Sequence, residues 1–257
     1  MRFRSLASGS AGNATLVEAG PTASPTRLLV DCGPGLRNLE QRLTQAGAPP
    51  ETLDALFITH EHTDHIGCAT ALARRHSIPL WMSRGTWQAI GEPPLGELLH
   101  FARDQQPIAL GPLQLQPLTV PHDAQEPLQL VCLEGSRKLG LLTDLGHITP
   151  HVLEQLAGCH ALLLEANHDA DLLARSSYPA FLKRRVAGPW GHLENRASAQ
   201  ALGQLRHPAL HCVVAAHLSE RNNHPGLVRA CLAAALDWSE QDIQVATQLE
   251  GTDWLEV

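Results

Sequence analysis

Between residues 60 and 65 the chain places three imidazoles and a carboxylate, His60, His62, Asp64 and His65, directly after a stretch with a single polar member. That stretch, Leu53–Ile58, is interrupted only by Asp54 and has the length of a buried strand, while Ile66 to His76 has helical spacing. A polar cluster between a buried strand and a helix sits at the strand's carboxyl end, where α/β sheets keep their sites. In a turn leaving a strand, residues two apart share a side and the next pair faces a second point, so one segment can serve two metal ions. The H-E-x-x-H pattern is excluded, because Asp64 stands where its second histidine belongs and the segment precedes a helix instead of lying on one.

Histidine is also the one compositional outlier, at 15 of 257 residues, and it is the commonest metal ligand. The rest is ordinary globular composition, 44% hydrophobic and 18% charged, which excludes disordered and fibrous classes. A net charge of −7 and a scarcity of aromatics (four Phe, five Trp, one Tyr) argue against a broad basic or stacking surface for nucleic acid, though not against a small local one. The longest apolar run, Ala230–Leu236, is far short of the roughly 20 residues of a membrane span. The first 20 residues hold no apolar segment of signal length, so the expectation is a cytoplasmic protein. The six scattered cysteines form no C-x-x-C pair and read as reduced thiols.

Turn signals and periodicity divide the chain into alternating elements. Strands are expected at Arg2–Ala7, Ala14–Glu18 and Arg27–Val30 around a glycine-rich turn, Gly9–Asn13, followed by a helix over Gly35–Ala46. Ile108–Val120 reads as paired strands ending at Pro121-His122-Asp123, and Leu128–Leu133 and Leu139–Leu142 as two more, the last ending on Thr143-Asp144. Beyond these come a helix from Pro150, a strand at Ala161–Leu164, a helical stretch to Val186 and a helix at Glu194–Leu205. A strand at Cys212–Ala216, a helix at Pro225–Leu236 and a strand at Ile243–Thr247 complete the chain. With no linker-like segment, residues 1–257 read as one α/β domain of two similar halves meeting near residue 136.

The segment Thr59–Gly67, T-H-E-H-T-D-H-I-G, resembles the H-x-H-x-D-H signature of the metallo-β-lactamase fold superfamily. The remaining elements of that family's pattern occur in order: a lone histidine after a strand at His122, an aspartate after a strand at Asp144, and a final histidine after a strand at His217. Four further segments, Ser8–Asn13, Glu165–Asp169, Gly191–Asn195 and His217–Asn223, are similar to the YycJ/WalJ-like branch. The resemblance implies a four-layer αβ/βα sandwich with metals at one edge, and a metal-dependent hydrolase of exonuclease-like or phosphodiesterase activity. It places His60, His62 and His122 on a first metal, Asp64, His65 and His217 on a second, and Asp144 between them. It also brings His168 and His192 near the site, to touch a phosphate or protonate a leaving group. A hydrogen-bonded loop histidine explains either equally well. Asn195 equally reads as a helix cap and Gly9–Asn13 as a hairpin turn.

Mixed imidazole and carboxylate ligation suits two divalent ions, Zn²⁺ first, with Mn²⁺ or Fe²⁺ as alternatives. Zinc lowers the pKa of bound water to about 7, so a metal-bound hydroxide serves as nucleophile and Asp64 can orient or deprotonate that water. A small-molecule or nucleic-acid phosphodiester is the expected substrate, with Lys183-Arg184-Arg185 a short basic run able to guide a phosphate backbone. The interval from Asp144 to His217 is filled by the elements already placed, which leaves no room for an inserted cap domain. The alternatives are a thioester, lactone or lactam hydrolase of the same fold and a metal-binding regulator. A di-iron redox protein is a third, and His62 argues against it because the flavin-linked relatives tend to carry glutamate there.

Overall fold

The computed structural model describes all 257 residues, Met1–Val257. The first sheet is built from β1 (Arg2–Ala7), β2 (Ala14–Ala19), β3 (Thr26–Val30), β4 (Ala55–Phe57), β5 (Leu80–Met82) and β6 (Leu99–Phe101). The second holds β7 (Ile108–Leu110), β8 (Leu113–Thr119), β9 (Leu128–Glu134), β10 (Arg137–Leu142), β11 (Ala161–Glu165), β12 (Cys212–Ala216) and β13 (Ile243–Val245). A last strand, β14 (Leu255–Glu256), returns to pair with β1, so each sheet has seven strands in the orders β14-β1-β2-β3-β4-β5-β6 and β13-β12-β11-β10-β9-β8-β7. In both, antiparallel hairpins give way to parallel strands at β3–β4 and β10–β11.

Alternating side chains along these strands create two buried faces per sheet. Leu28, Val30, Ala55 and Phe57 of the first sheet meet Leu139, Leu141, Leu163 and Val214 of the second in one core between the sheets. The intervening residues point outward to helices. Leu29 and Leu56 pack against α1 (Leu36–Gln45) and α3 (Ala69–His76), and Leu162, Leu164, Val213 and Ala215 against α5 (Pro150–Leu156), α8 (Asn195–Leu205) and α9 (Pro225–Leu236). The result is a four-layer αβ/βα sandwich. The chain passes from the first sheet to the second between Phe101 and Ile108. Residue 136 instead lies in the β9–β10 hairpin, whose Gly135 takes φ 57°; a polar, glycine-bearing hairpin carries the same local signal as a junction.

The helix expected from Ile66 to His76 begins only at Ala69, as α3, and a separate short helix, α2 (Thr63–Ile66), precedes it. Gly67 separates them at φ 30°, and a Cβ there would stand 2.3 Å from the Cys32 carbonyl oxygen. The loop Asp31–Gly33 therefore lies directly on the histidine-rich turn, held by Cys32 N–H to the His65 carbonyl at 2.8 Å and Cys68 N–H to the Cys32 carbonyl at 3.0 Å. The elements without a sequence signal are short: β5, β6, β14 and α4 (Arg84–Ala89). The helical stretch to Val186 is likewise two helices, α6 (Ala170–Arg175) and α7 (Ala180–Val186). No helix is long and apolar enough to cross a membrane.

Candidate metal centre

The residues of the two expected ligand sets all follow the carboxyl ends of strands, so the sheets converge their chain ends on one edge of the sandwich. His60 and His62 follow β4, and the next residues start α2, which carries Asp64 and His65. His122 follows β8, Asp144 follows β10, Glu165 ends β11, and His217 follows β12 with φ 53°.

Four overlapping groups of facing atoms result, among them Asp144 with Glu165, His192 and His217, and two match the expected ligand sets. His62 Nδ1 lies 3.0 Å from His60 Nε2 and 3.2 Å from His122 Nε2. Asp64 Oδ2 lies 3.3 Å from His217 Nε2 and 3.6 Å from His65 Nε2. Asp144 stands between them, with Oδ2 2.9 Å from His65 Nε2 and Oδ1 3.8 Å from His122 Nε2.

The outward nitrogens of these rings are engaged elsewhere, which decides the direction of the inward ones. His65 Nδ1 is 2.7 Å from Asp31 Oδ2, His122 Nδ1 is 3.0 Å from the Gly191 carbonyl, and His60 Nδ1 is 3.0 Å from Thr59 Oγ1. His62 reverses the pattern, with Nε2 3.2 Å from the Asp123 carbonyl and Nδ1 inward. A ring that donates its outer proton to a carbonyl or carboxylate presents a bare lone pair on the other nitrogen, the arrangement of metal-ligating histidines.

The donor set fits a divalent cation. Asp144 is 1% exposed and its Oδ2 faces the His65 ring, with Nε2 at 2.9 Å, a costly burial for a carboxylate that a bound cation would compensate. Tetrahedral zinc at 2.0–2.1 Å from nitrogen spaces its ligands about 3.3 Å apart, close to the separations in the first group. All these donors are nitrogen or oxygen, and the six cysteines, none of them disulfide-bonded, take no part in either group.

The electrostatics divide in the same way. Burial, reinforced by neighbouring imidazoles, pushes His60 well below the ordinary histidine range, and burial lowers His122 too. Both are neutral and free to ligate. Burial also opposes the charged forms of His65 and His217, yet Asp144 and Asp31 raise the first well above its usual value. Asp144, Asp64 and Glu165 raise the second to about 10. Burial opposes ionisation of Asp144, but His217 and His65 hold it well below the ordinary carboxylate range. Without a cation, the buried carboxylates keep protons on the imidazoles beside them.

The cluster opens into a cleft of about 460 Å³, bordered on its far side by Tyr178, Leu182 and Arg185. His192 lines this cleft, its Nδ1 2.7 Å from Glu165 Oε1 and 3.3 Å from Asp144 Oδ1. His168 does not line it. Its backbone bridges to Glu194, its ring is 2% exposed with Nδ1 unpartnered, and burial lowers it to about 4. Glu165 ends β11 facing the cluster, and His168, three residues on, is buried near Glu165 and His192 without reaching the cleft lining. The Gly9–Asn13 turn packs beneath the site, with Asn13 Nδ2 3.1 Å from His65 Nε2, and Asn195 pairs with Asn223 at the start of α8. Lys183 bonds the Ala174 carbonyl, whereas Arg185 reaches the cleft and pairs with Asp123 at 2.6 Å.

Asp31, Asn13 and Glu165 are the participants that spacing did not single out. Asp31 and Glu165 carry the signal that marked Asp144, a carboxylate at the end of an apolar strand.

A two-sheet sandwich flanked by helices, with histidine and aspartate groups at one edge, defines a hydrolase of the metallo-β-lactamase fold. Residues 26–217 match the family model of the beta-lactamase superfamily domain, and the chain belongs to that family. It is 30% identical over 257 residues to exodeoxyribonuclease YycJ of Bacillus anthracis, an alignment covering 98% of this chain and 96% of the relative. It is 32% identical over 227 residues to exodeoxyribonuclease WalJ of Streptococcus pneumoniae, covering 86% and 83%. The structure superposes on the metallo-beta-lactamase fold protein YhfI from Bacillus subtilis with a TM-score of 0.74, at 15% identity over 99% of each chain. The chain is a metal-dependent hydrolase of the YycJ/WalJ-like branch.

Proposed function

We propose that this protein is a dinuclear phosphodiesterase acting on nucleic-acid ends. The observation that carries this reading is the pair of ligand groups with the buried Asp144 carboxylate between them, Oδ2 facing His65 and Oδ1 facing His122. In it, His60, His62 and His122 hold one ion, Asp64, His65 and His217 the other, and Asp144 both. Zinc is the first choice on donor chemistry, with Mn²⁺ or Fe²⁺ as alternatives. Two such ions supply Lewis acidity toward phosphoryl oxygens and activate water at neutral pH.

The chain's own groups complete the site. Asp64, partly open to the cleft, is placed to orient the attacking water and accept its proton. His192 has its Nδ1 fixed by Glu165, which leaves Nε2 as the atom to protonate the departing oxygen. Burial disfavours its charged form, but Glu165 and Asp144 together raise its pKa. Arg185 puts a cation on the cleft wall, which favours a phosphodiester over a neutral thioester, lactone or lactam. The names of the two nuclease relatives support the same substrate class. We place the protein in the cytoplasm, where its six free thiols stay reduced.

Metal analysis paired with turnover of bis-p-nitrophenyl phosphate tests the proposal. Two equivalents of metal per chain and turnover lost in both His62→Ala and Asp144→Ala are expected. One equivalent in a fully active enzyme, or turnover surviving verified removal of all metal, would refute it.

A further inference from the structure

The segment from α6 through α7 to Trp190 stands apart from the body of the protein. From Ala170 to Trp190 only Leu173 is buried, so the segment serves no core. It forms one wall of the cleft through Tyr178, Leu182, Arg185 and Val186. It also carries the chain's only exposed phenylalanine and tryptophan, Phe181 at 66% and Trp190 at 58%. Every other Phe and Trp is at least partly buried.

Neither ring lines the cleft, but both stand on the segment that forms its wall. Phe181 lies one turn before Arg184 and Arg185 on α7, so ring and guanidinium groups share a side of the helix. The Trp190 carbonyl accepts the Asp123 N–H at 2.9 Å, which anchors its backbone beside His122 and His62 at the cleft mouth. Tyr178, on the cleft wall, has the Arg221 guanidinium 6.0 Å over its ring.

The charge pattern selects the occupant. From Arg175 to Leu193 the chain bears Arg175, Lys183, Arg184 and Arg185 and no carboxylate, in a protein of net charge −7. Arg184 makes no ion pair or hydrogen bond, and Arg185 remains half exposed beside Asp123. Solvated aromatic rings alternating with cations suit a ligand that repeats flat apolar faces and negative charges. A polypeptide partner would call for a contiguous apolar patch, which the interleaved cations break up.

We propose that the α6–α7 segment is a stacking platform for a single-stranded polynucleotide. Bases lie on Phe181 and Trp190, Arg184 and Arg185 track the phosphates, and the strand end is led down the wall toward the metal groups. The proposal rests on the phosphodiesterase reading for the fate of the strand, but not for its binding.

The test uses the full chain and measures fluorescence anisotropy of labelled 12-mers of deoxythymidylate and uridylate, with chelator present so that nothing is cleaved. Phe181→Ala and Trp190→Ala are each expected to weaken binding roughly 5- to 100-fold, the range found when one base loses its stacking ring. Lys183→Ala with Arg184→Ala is expected to shallow the log–log salt slope by about 0.7 for each phosphate no longer neutralised. Tighter binding of one 12-mer identifies DNA or RNA as the strand. Both rings are exposed, so the variants keep wild-type melting temperatures, and bis-p-nitrophenyl phosphate turnover stays near wild type because that substrate is too small to reach them. Unchanged oligonucleotide affinity in the Phe181→Ala, Trp190→Ala double variant overturns the platform, and if the same variant also loses self-association the face belongs to a second copy. Ring-dependent binding by a protein with no phosphodiester turnover supports the platform and defeats the proposed activity instead.

Discussion

Asp31→Asn isolates one carboxylate beneath the candidate centre. Asp31 Oδ2 lies 2.7 Å from His65 Nδ1, while Oδ1 accepts the Thr59 N–H at 2.9 Å and lies 3.0 Å from Thr59 Oγ1. Asparagine has the same shape and tolerates the residue's left-handed backbone, φ 63°. It can keep its oxygen on Thr59, but it then turns an NH₂ donor toward His65 Nδ1. The imidazole proton is driven to Nε2, the atom facing Asp64 and Asp144, where a ligand needs a lone pair. Loss of a supporting partner of this kind costs 10- to 100-fold in metal affinity, about 1.4–2.7 kcal/mol. The loss falls on one ion only, because His60, His62 and His122 do not touch Asp31. Competition with a chromophoric chelator reads both quantities. The expected titration shows one tight equivalent and one weakened by that factor, with little change in the folding of the metal-free chain. Two equivalents bound within about threefold of wild type would show that Asp31 does not set the His65 tautomer.

Glu165→Gln is expected to lower diester turnover by about 10² or more, since it disturbs His192 directly, and to weaken metal binding through His217, whose Nδ1 it faces at 3.3 Å; unaltered kcat and metal affinity in that variant would remove Glu165 from the site's chemistry. For the chelated protein the folded state binds protons on His65 and His217 more tightly than the unfolded chain does. That stabilisation is complete below about pH 6.5, the unfolded imidazole value, and is lost as pH rises through about 10 for His217. Its melting temperature should fall across that window while the metal-loaded protein does not follow, and parallel curves for the two forms would contradict the charge balance described. Gly33→Ala would put a Cβ 1.9 Å from the Asp64 carbonyl oxygen and 2.5 Å from Asn13 N. A cost of about 1–3 kcal/mol or more, several degrees in melting temperature, should come with weakened metal binding, and a variant of wild-type stability would show that the loop yields freely.

The parts of this molecule legible in its sequence are those whose physics is local. Leu39 and Leu43 mark the buried side of α1 because helical spacing alone brings them together. The apolar runs of β11 and β12 read as strands because both their faces are covered. The cluster after β4 announces itself because four ligand-type residues share one turn. β5, β6 and β14 left no such trace: two or three residues cannot display a period, and their neighbours in the sheet supply the pairing. Gly67 delays the start of an expected helix for a reason found only across space, in the Cys32 carbonyl pressed against it.

The site divides along the same line. His122, Asp144 and His217 gain meaning from their order after strands, and the fold brings them to His60–His65. What order cannot convey is the side of each ring that is spoken for. Asp31 and Glu165 are ordinary carboxylates in sequence, 34 and 52 residues from the histidines they hold. Yet they determine which nitrogen of those rings is left bare, and so whether the convergence is a ligand set or a knot of hydrogen bonds. His168 shows the converse: it sits three residues after Glu165, inside a segment similar to a known branch, yet its backbone bridges to Glu194 and its ring does not line the cleft. Proximity in sequence selects candidates, whereas the hydrogen bond on the far side of each ring decides among them.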